Sequence, residues 1–176
     1  MLTGPLPNTL DVRKAATREL KVEGTLKPLD LQRFAALLAS EEGRIQVAMV
    51  FFRDEEQRSL VQVDIDAQVE VVCQRCLQPM PLQLKTDNTL AVVWNDDQAR
   101  LLPKYLEALI VEDDCRLWDV VEEELILVLP QFSYHDQAEC EIDLADFSHA
   151  PLPEAPDEKS NPFDVLAQLK PGKEKK

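Results

Sequence analysis

The longest regular signal in the chain is an alternation of apolar and polar residues between Val61 and Val71. Val61, Val63, Ile65, Ala67, Val69 and Val71 take one phase; Gln62, Asp64, Asp66, Gln68 and Glu70 take the other. Period two sends the first set to a buried face and the second to water, which predicts a half-buried strand. Ile45, Val47, Met49 and Phe51 predict a strand before it, across the polar turn Arg53-Asp54-Glu55-Glu56-Gln57. Met80, Leu82 and Leu84 repeat the alternation, and Leu90 to Trp94 is a further apolar stretch. Leu20, Val22 and Leu26 keep one phase but are interrupted by Gly24, which limits them to a short strand. Such neighbours pair most simply as an antiparallel sheet.

Helical spacing appears in two places. Leu31, Phe34, Ala35, Leu37 and Leu38 follow Asp30, a candidate N-cap, and Gly43 would end the run. Leu117, Val121, Leu125 and Val128 share one face, Asp119, Glu122 and Glu123 sit toward the N-terminal half, and Pro130 stops the helix. Leu125 to Leu129 is apolar on all sides, so a buried strand is the alternative there. Past Ile142 the prolines of Ala150-Pro151-Leu152-Pro153-Glu154-Ala155-Pro156 cannot donate backbone hydrogen bonds and the charges that follow resist burial, so the stretch reads as a linker. Asn161-Pro162 then supplies a cap and first-turn proline for a short helix with Phe163, Leu166 and Ala167 on one face. The expected architecture is α+β, with a mainly antiparallel sheet and a few packing helices over residues 1–147. A Pro-rich acidic linker over 148–160 would lead to a short C-terminal helix and basic tail over 161–176.

Composition narrows the possible activities. No apolar run approaches bilayer length, and the N-terminus has no basic start followed by an apolar segment, so the protein is expected to be soluble and cytoplasmic. The formal charge of −14 disfavours broad nucleic-acid binding, which rests on Lys and Arg replacing the counterions of phosphate. It suits a partner with a basic surface, such as a ribosomal protein. The charge is uneven: Arg13, Lys14, Arg18, Lys21 and Lys27 form a basic N-terminal segment. Glu112, Asp113, Asp114, Asp119, Glu122, Glu123 and Glu124 face only Arg116, and most such acids read as solvated surface.

The chemistry centres on Cys73-Gln74-Arg75-Cys76, where Cys73 continues the inward phase of Val71. Cytosolic thiols stay reduced, so disulfides are disfavoured. Zinc needs about four N or S ligands, and His135 and Cys140 would complete a Cys3His set, with Cys115 left over. Leu77 stands where metal-binding turns often use glycine. A redox CxxC gains its low thiol pKa from a following helix, whereas here Pro79 and Pro81 follow. A cysteine nucleophile based on His135 or His149 lacks an orienting third group. Buried cysteines packing as small hydrophobes are the competing account of the pair.

Thr9-Leu10-Asp11, CQRCLQP after an alternating strand, VEEELILVLP, HDQAEC and NPFDVLAQLK occur in this order. In that order and spacing they resemble the YceD family, large ribosomal RNA subunit accumulation proteins of bacteria and plastids. The resemblance implies a non-enzymatic part in synthesis, processing or stability of large-subunit ribosomal RNA. Family genes commonly neighbour a large-subunit ribosomal protein gene. It carries over Cys73, Arg75, Cys76, Glu122, Glu124, Pro130, His135, Cys140, Asn161, Pro162 and Phe163 as recurring positions. Some members have more cysteines after the proline, which makes His135 the substitute ligand here. The expected site residues are therefore Cys73, Cys76, His135 and Cys140 for a metal. Arg13, Lys14, Arg18, Arg75, Asn161, Pro162 and Phe163 are expected to meet RNA or a partner, either the pre-ribosomal particle or a basic ribosomal protein. The alternative from another class is an acidic chaperone that holds a basic ribosomal protein without touching RNA.

Overall fold

A computed structural model describes residues 2–142, with side chains from residue 4. The expected linker and the expected terminal helix, with Asn161, Pro162 and Phe163, lie outside the described residues.

Alternation builds the centre of the molecule. The strands β3 (Lys21–Leu26), β4 (Gly43–Arg53), β5 (Ser59–Val72) and β6 (Pro79–Val93) form an antiparallel meander. Two short strands, β1 (Leu2–Thr3) and β7 (Glu107–Ile110), add in parallel at its edges, giving the order β1-β3-β4-β5-β6-β7. A separate two-stranded ribbon pairs β2 (Thr9–Leu10) with β8 (Cys115–Arg116). No helix of the described residues is long and apolar enough to cross a membrane.

One face of the sheet carries Val22, Ile45, Met49, Phe51, Val61, Val63 and Ile65, all buried. Against it pack Val12, Ala15 and Ala16 of α1 (Val12–Thr17), Phe34 of α2 (Gln32–Ala35), and Leu117, Val121 and Leu125 of α4 (Leu117–Val128). The helical pattern read from Leu117 is thus a helix, not the alternative strand. Asp11 caps α1 by accepting from Lys14 N at 3.0 Å. Gly24 does not break β3, in which it pairs with Val47; a Cβ there would stand 2.6 Å from Leu6 N, where the preceding segment crosses the strand.

Two expectations change. The run from Leu31 to Leu38 yields only four residues of α-helix, and Leu37 is exposed. Asp30 does not cap it; its carboxylate accepts from Lys27 N at 2.8 Å, closing the 3-10 turn before it. The cap comes from Glu122 of α4, whose Oε1 accepts from Arg33 N at 2.7 Å and Phe34 N at 3.3 Å. The apolar stretches around Leu82 and Leu90 are also a single strand, β6, of 15 residues.

Candidate metal centre

The site begins where β5 runs out. Its inward phase extends to Cys73, which is fully buried. The chain then reverses: Cys73 N donates to Gln78 O at 2.9 Å and Leu77 N donates to Cys73 O at 2.8 Å. Closing this turn puts Leu77 at φ 62°, the left-handed region, which costs an L-residue roughly 1–2 kcal/mol. Leucine therefore holds the geometry expected of glycine, with its side chain largely in water.

The second pair of ligands arrives from the segment after α4. Gln74 N donates to Ser133 O at 2.9 Å, and Gln74 Nε2 donates to Gln131 O at 3.1 Å. These bonds lay the segment beside the turn and deliver His135, whose backbone N donates to Cys73 Sγ at 3.4 Å. Cys76 Sγ lies 3.3 Å from His135 Nδ1. A tight turn, with Cys140 N donating to Asp136 O at 3.1 Å, brings in the third thiol. The ligand atoms of Cys73, Cys76, His135 and Cys140 all lie within 4.8 Å of one another. A tetrahedral ion bound at about 2.3 Å to sulfur and 2.0–2.1 Å to nitrogen would separate its ligand atoms by about 3.5–3.8 Å. The cluster has the size and donor set for a thiolate-preferring metal.

Its electrostatics point the same way. Burial alone would raise the Cys73 thiol, but N–H groups of Cys76, His135 and Arg75 and the Cys76 side chain draw it down to about 5. His135 is held above its ordinary value by the Cys73 thiol first and Cys76 next, against the opposing effect of burial. N–H donors aimed at sulfur favour the thiolate, the form that ligates metal. Cys115 stands apart, buried in β8 with its thiol pushed up to about 11 by burial, and takes no part in the cluster.

The remaining candidates scatter. Arg75 lies over the Tyr134 ring at 5.5 Å, and its buried Nη1 has no hydrogen-bond partner among the described residues. Lys14 is paired with Asp11 at 2.8 Å. Arg18 caps the end of α1. Arg13 covers the Trp94 ring and donates from Nη2 to Val111 O at 3.1 Å. Glu122 and Glu124 are buried and structural rather than part of a solvated acidic surface. Glu122 holds Arg33 Nε at 2.7 Å as well as capping α2, and Glu124 accepts from Asn88 Nδ2 at 3.0 Å. Burial would raise Glu122, yet the Arg33 guanidinium and the backbone N–H groups of Phe34 and Arg33 hold it below its ordinary value. No local pattern reveals that role, because the partners are 89 residues apart.

Fold and site together define an α+β domain whose longest hairpin is closed by a Cys3His ligand cluster. The chain belongs to the YceD family. The family profile described as large ribosomal RNA subunit accumulation protein YceD matches residues 61–170, which include Cys73, Cys76, His135 and Cys140. A protein of that name from Haemophilus influenzae is 34% identical over 167 residues, spanning 94% of this chain and 96% of the relative. No solved structure matches the chain.

Proposed function

We propose that this protein supports accumulation of large-subunit ribosomal RNA as a binding factor, without catalysis of its own. The observation that carries this reading is the likeness to the Haemophilus influenzae protein, which runs along 94% of the chain and bears that role in its name. In this reading the Cys3His cluster holds zinc as a clip between the β5–β6 turn and the segment after α4. Zinc there would supply structure, since four protein ligands leave no open position for a reacting molecule. The bases of α1 approach the RNA of the pre-ribosomal particle.

The test is charge reversal of Arg13, Lys14 and Arg18 followed by sedimentation with pre-ribosomal particles. Co-sedimentation should fall and become less sensitive to salt, because fewer phosphates are neutralised. Unchanged co-sedimentation would remove RNA contact by α1 from the reading.

One observation favours a second role beside the first. The outward face of the sheet displays Asp64, Asp66, Glu70 and Asp87, of which Asp66 alone has an ion-pair partner among the described residues, Lys85 at 2.8 Å. Such a face complements a basic ribosomal protein. Cross-linking in cells separates the roles: adducts to ribosomal protein without ribosomal RNA would leave the chaperone reading alone.

A further inference from the structure

The helices cover one face of the sheet, while the other stays in water over its middle: Gln46, Asp64, Gln68, Lys85 and Asp87 are exposed. Only toward α3 (Asp96–Arg100), where β6 finishes, are the outward-facing Leu60, Ala91 and Val93 buried. Strand register sorts the charges of the exposed part into rows. Glu23 pairs with Ala48, Ala48 with Asp64, and Asp64 with Asp87, so three acids cross four strands in one line, with a small residue between the first two. The next row is Thr25, Gln46, Asp66 and Lys85, so the two rows hold four acids and one base. Lys21 and Arg44 stand in the flanking rows, and Glu23, Asp64 and Asp87 have no ion-pair partner among the described residues.

This placement costs the sheet stability. Asp64 and Asp87 lie directly opposite on an antiparallel pair, with Cβ atoms about 4.5–5.5 Å apart, where like charges destabilise. Gln62 Nε2 donates to Asp87 Oδ1 at 3.1 Å, which satisfies an oxygen but brings no charge. Acids that serve solubility gain nothing from facing one another, whereas a cation laid between them removes the cost.

Two open grooves run over these rows and share Asp64 and Asp66. One, of about 700 Å³, is lined by Glu23, Gln46 and Ala48 as well; the other, of about 400 Å³, adds Lys85 and Asp87. Lys85 is the one base among the described residues lining either groove, and it shows what the face accepts. Its Nζ is held by Asp66 at 2.8 Å, and Asp66 first, with Asp64 adding, holds its pKa above the ordinary value. The face already seats one ammonium group and leaves Glu23, Asp64 and Asp87 free of ion pairs among the described residues.

We infer that the rows through Asp64 and Asp66 form a docking track for a lysine- and arginine-rich segment of another protein. The apolar stems of its side chains lie over Ala48 and their charged ends meet Glu23, Asp64 and Asp87. RNA would bring phosphates to these carboxylates, so the track is separate from any contact made by the bases of α1. The inference rests on the reading that the protein holds a basic ribosomal protein, and it adds the place on the sheet and the residues that do so.

The experiment uses the full chain and a fluorescein-labelled 12-residue lysine-rich peptide, read by anisotropy at several salt concentrations. The parent should bind the peptide, and more weakly as salt rises. Asp64→Asn combined with Asp87→Asn should weaken binding roughly fivefold, the loss expected for two exposed ion pairs. Asp113→Asn combined with Asp114→Asn removes the same charge elsewhere and should change binding by less than about twofold. The melting temperature of the Asp64, Asp87 double variant should not fall, because facing like charges are relieved. Glu23→Gln, on a different strand, should weaken binding about twofold and keeps the test decisive if the double variant melts at lower temperature.

Equal weakening by the two double variants would mean attraction to the net charge alone; it overturns the track and leaves the chaperone reading standing. Peptide binding that neither the Asp64, Asp87 double variant nor Glu23→Gln weakens overturns it in the same way. A labelled 12-nucleotide RNA, measured separately, should bind the double variant no less tightly than the parent; RNA binding lost there would make the rows an RNA surface and overturn the inference. Absence of peptide binding by the parent overturns the inference and, together with absence of ribosomal-protein adducts in cells, the reading beneath it.

Discussion

The two ends of the β5–β6 hairpin are closed by different physics. At the Ser59 end, Leu60, Ala91 and Val93 are buried and Arg58 is held by Asp54 through Nε at 2.6 Å and through its backbone N at 2.8 Å. At the Cys73 end, Leu77, Phe132 and Tyr134 stand in solvent, while Val71, Cys73 and Ser133 are buried. The first end gains its stability from desolvation of apolar surface, which needs no ligand. The second gathers thiols and an imidazole where apolar residues would otherwise sit, and under the proposed zinc clip its cohesion depends on the metal. On that proposal, one strand pair joins a self-sufficient end to a ligand-dependent one.

The largest effect should come from the dependent end. The purified chain should carry about one equivalent of zinc by mass spectrometry, with close to none after Cys76→Ser or Cys140→Ser. Chelation should lower the melting temperature of the parent and leave those variants unmoved; a parent free of metal that melts normally would restore the packing account of the cysteines. Next, Leu60→Ala at the other end should cost about 2–3 kcal/mol in denaturant unfolding without changing metal content. Equal loss of metal in that variant would mean the ends are not separable.

Glu122→Gln follows, at about 2 kcal/mol, because it weakens charge-assisted bonds to Arg33 and to the start of α2. The folded-state pKa of Glu122 lies below its ordinary 4.5, so its contribution is fully present above that value. It is lost as pH falls through the lower folded-state value. Acid titration of stability should therefore show a step below about 4.5 in the parent that is reduced in Glu122→Gln. Smallest is Leu77→Gly, which relieves the left-handed backbone at φ 62° and should stabilise by roughly 0.5–1 kcal/mol in the same unfolding assay.

Sequence reading reached the features whose cause is local. Period two in Val61 to Val71 is a direct imprint of a one-sided core, and the strand is there with the predicted phase. CxxC and His-x4-Cys are each short enough to be seen as pairs, and the fold brings the pairs together. What escaped was settled over distance. Lys85 to Thr89 looks polar, so the two halves of β6 read as separate stretches. Yet Asn88 faces inward, opposite Val63, and its amide is met by the buried Glu124. Likewise, an apolar run after Asp30 reads as a long helix, while the chain leaves it so that Ala39 N can donate to Glu70 O at 2.8 Å.

The spacing of the cluster has a consequence for how the chain is made. Cys76 and His135 are 59 residues apart, with the last strand of the meander and all of α4 between them. Synthesis runs from the N-terminus, so the first two thiols leave the ribosome several seconds before the other ligands exist. During that interval they are open to alkylation, oxidation or capture by a competing ion. Pulse alkylation of stalled nascent chains should label Cys73 and Cys76 in chains that end before residue 130 and spare them once residue 141 has emerged. With a metal bound as proposed, the cluster would close only in a chain made past Cys140 and folded around α4.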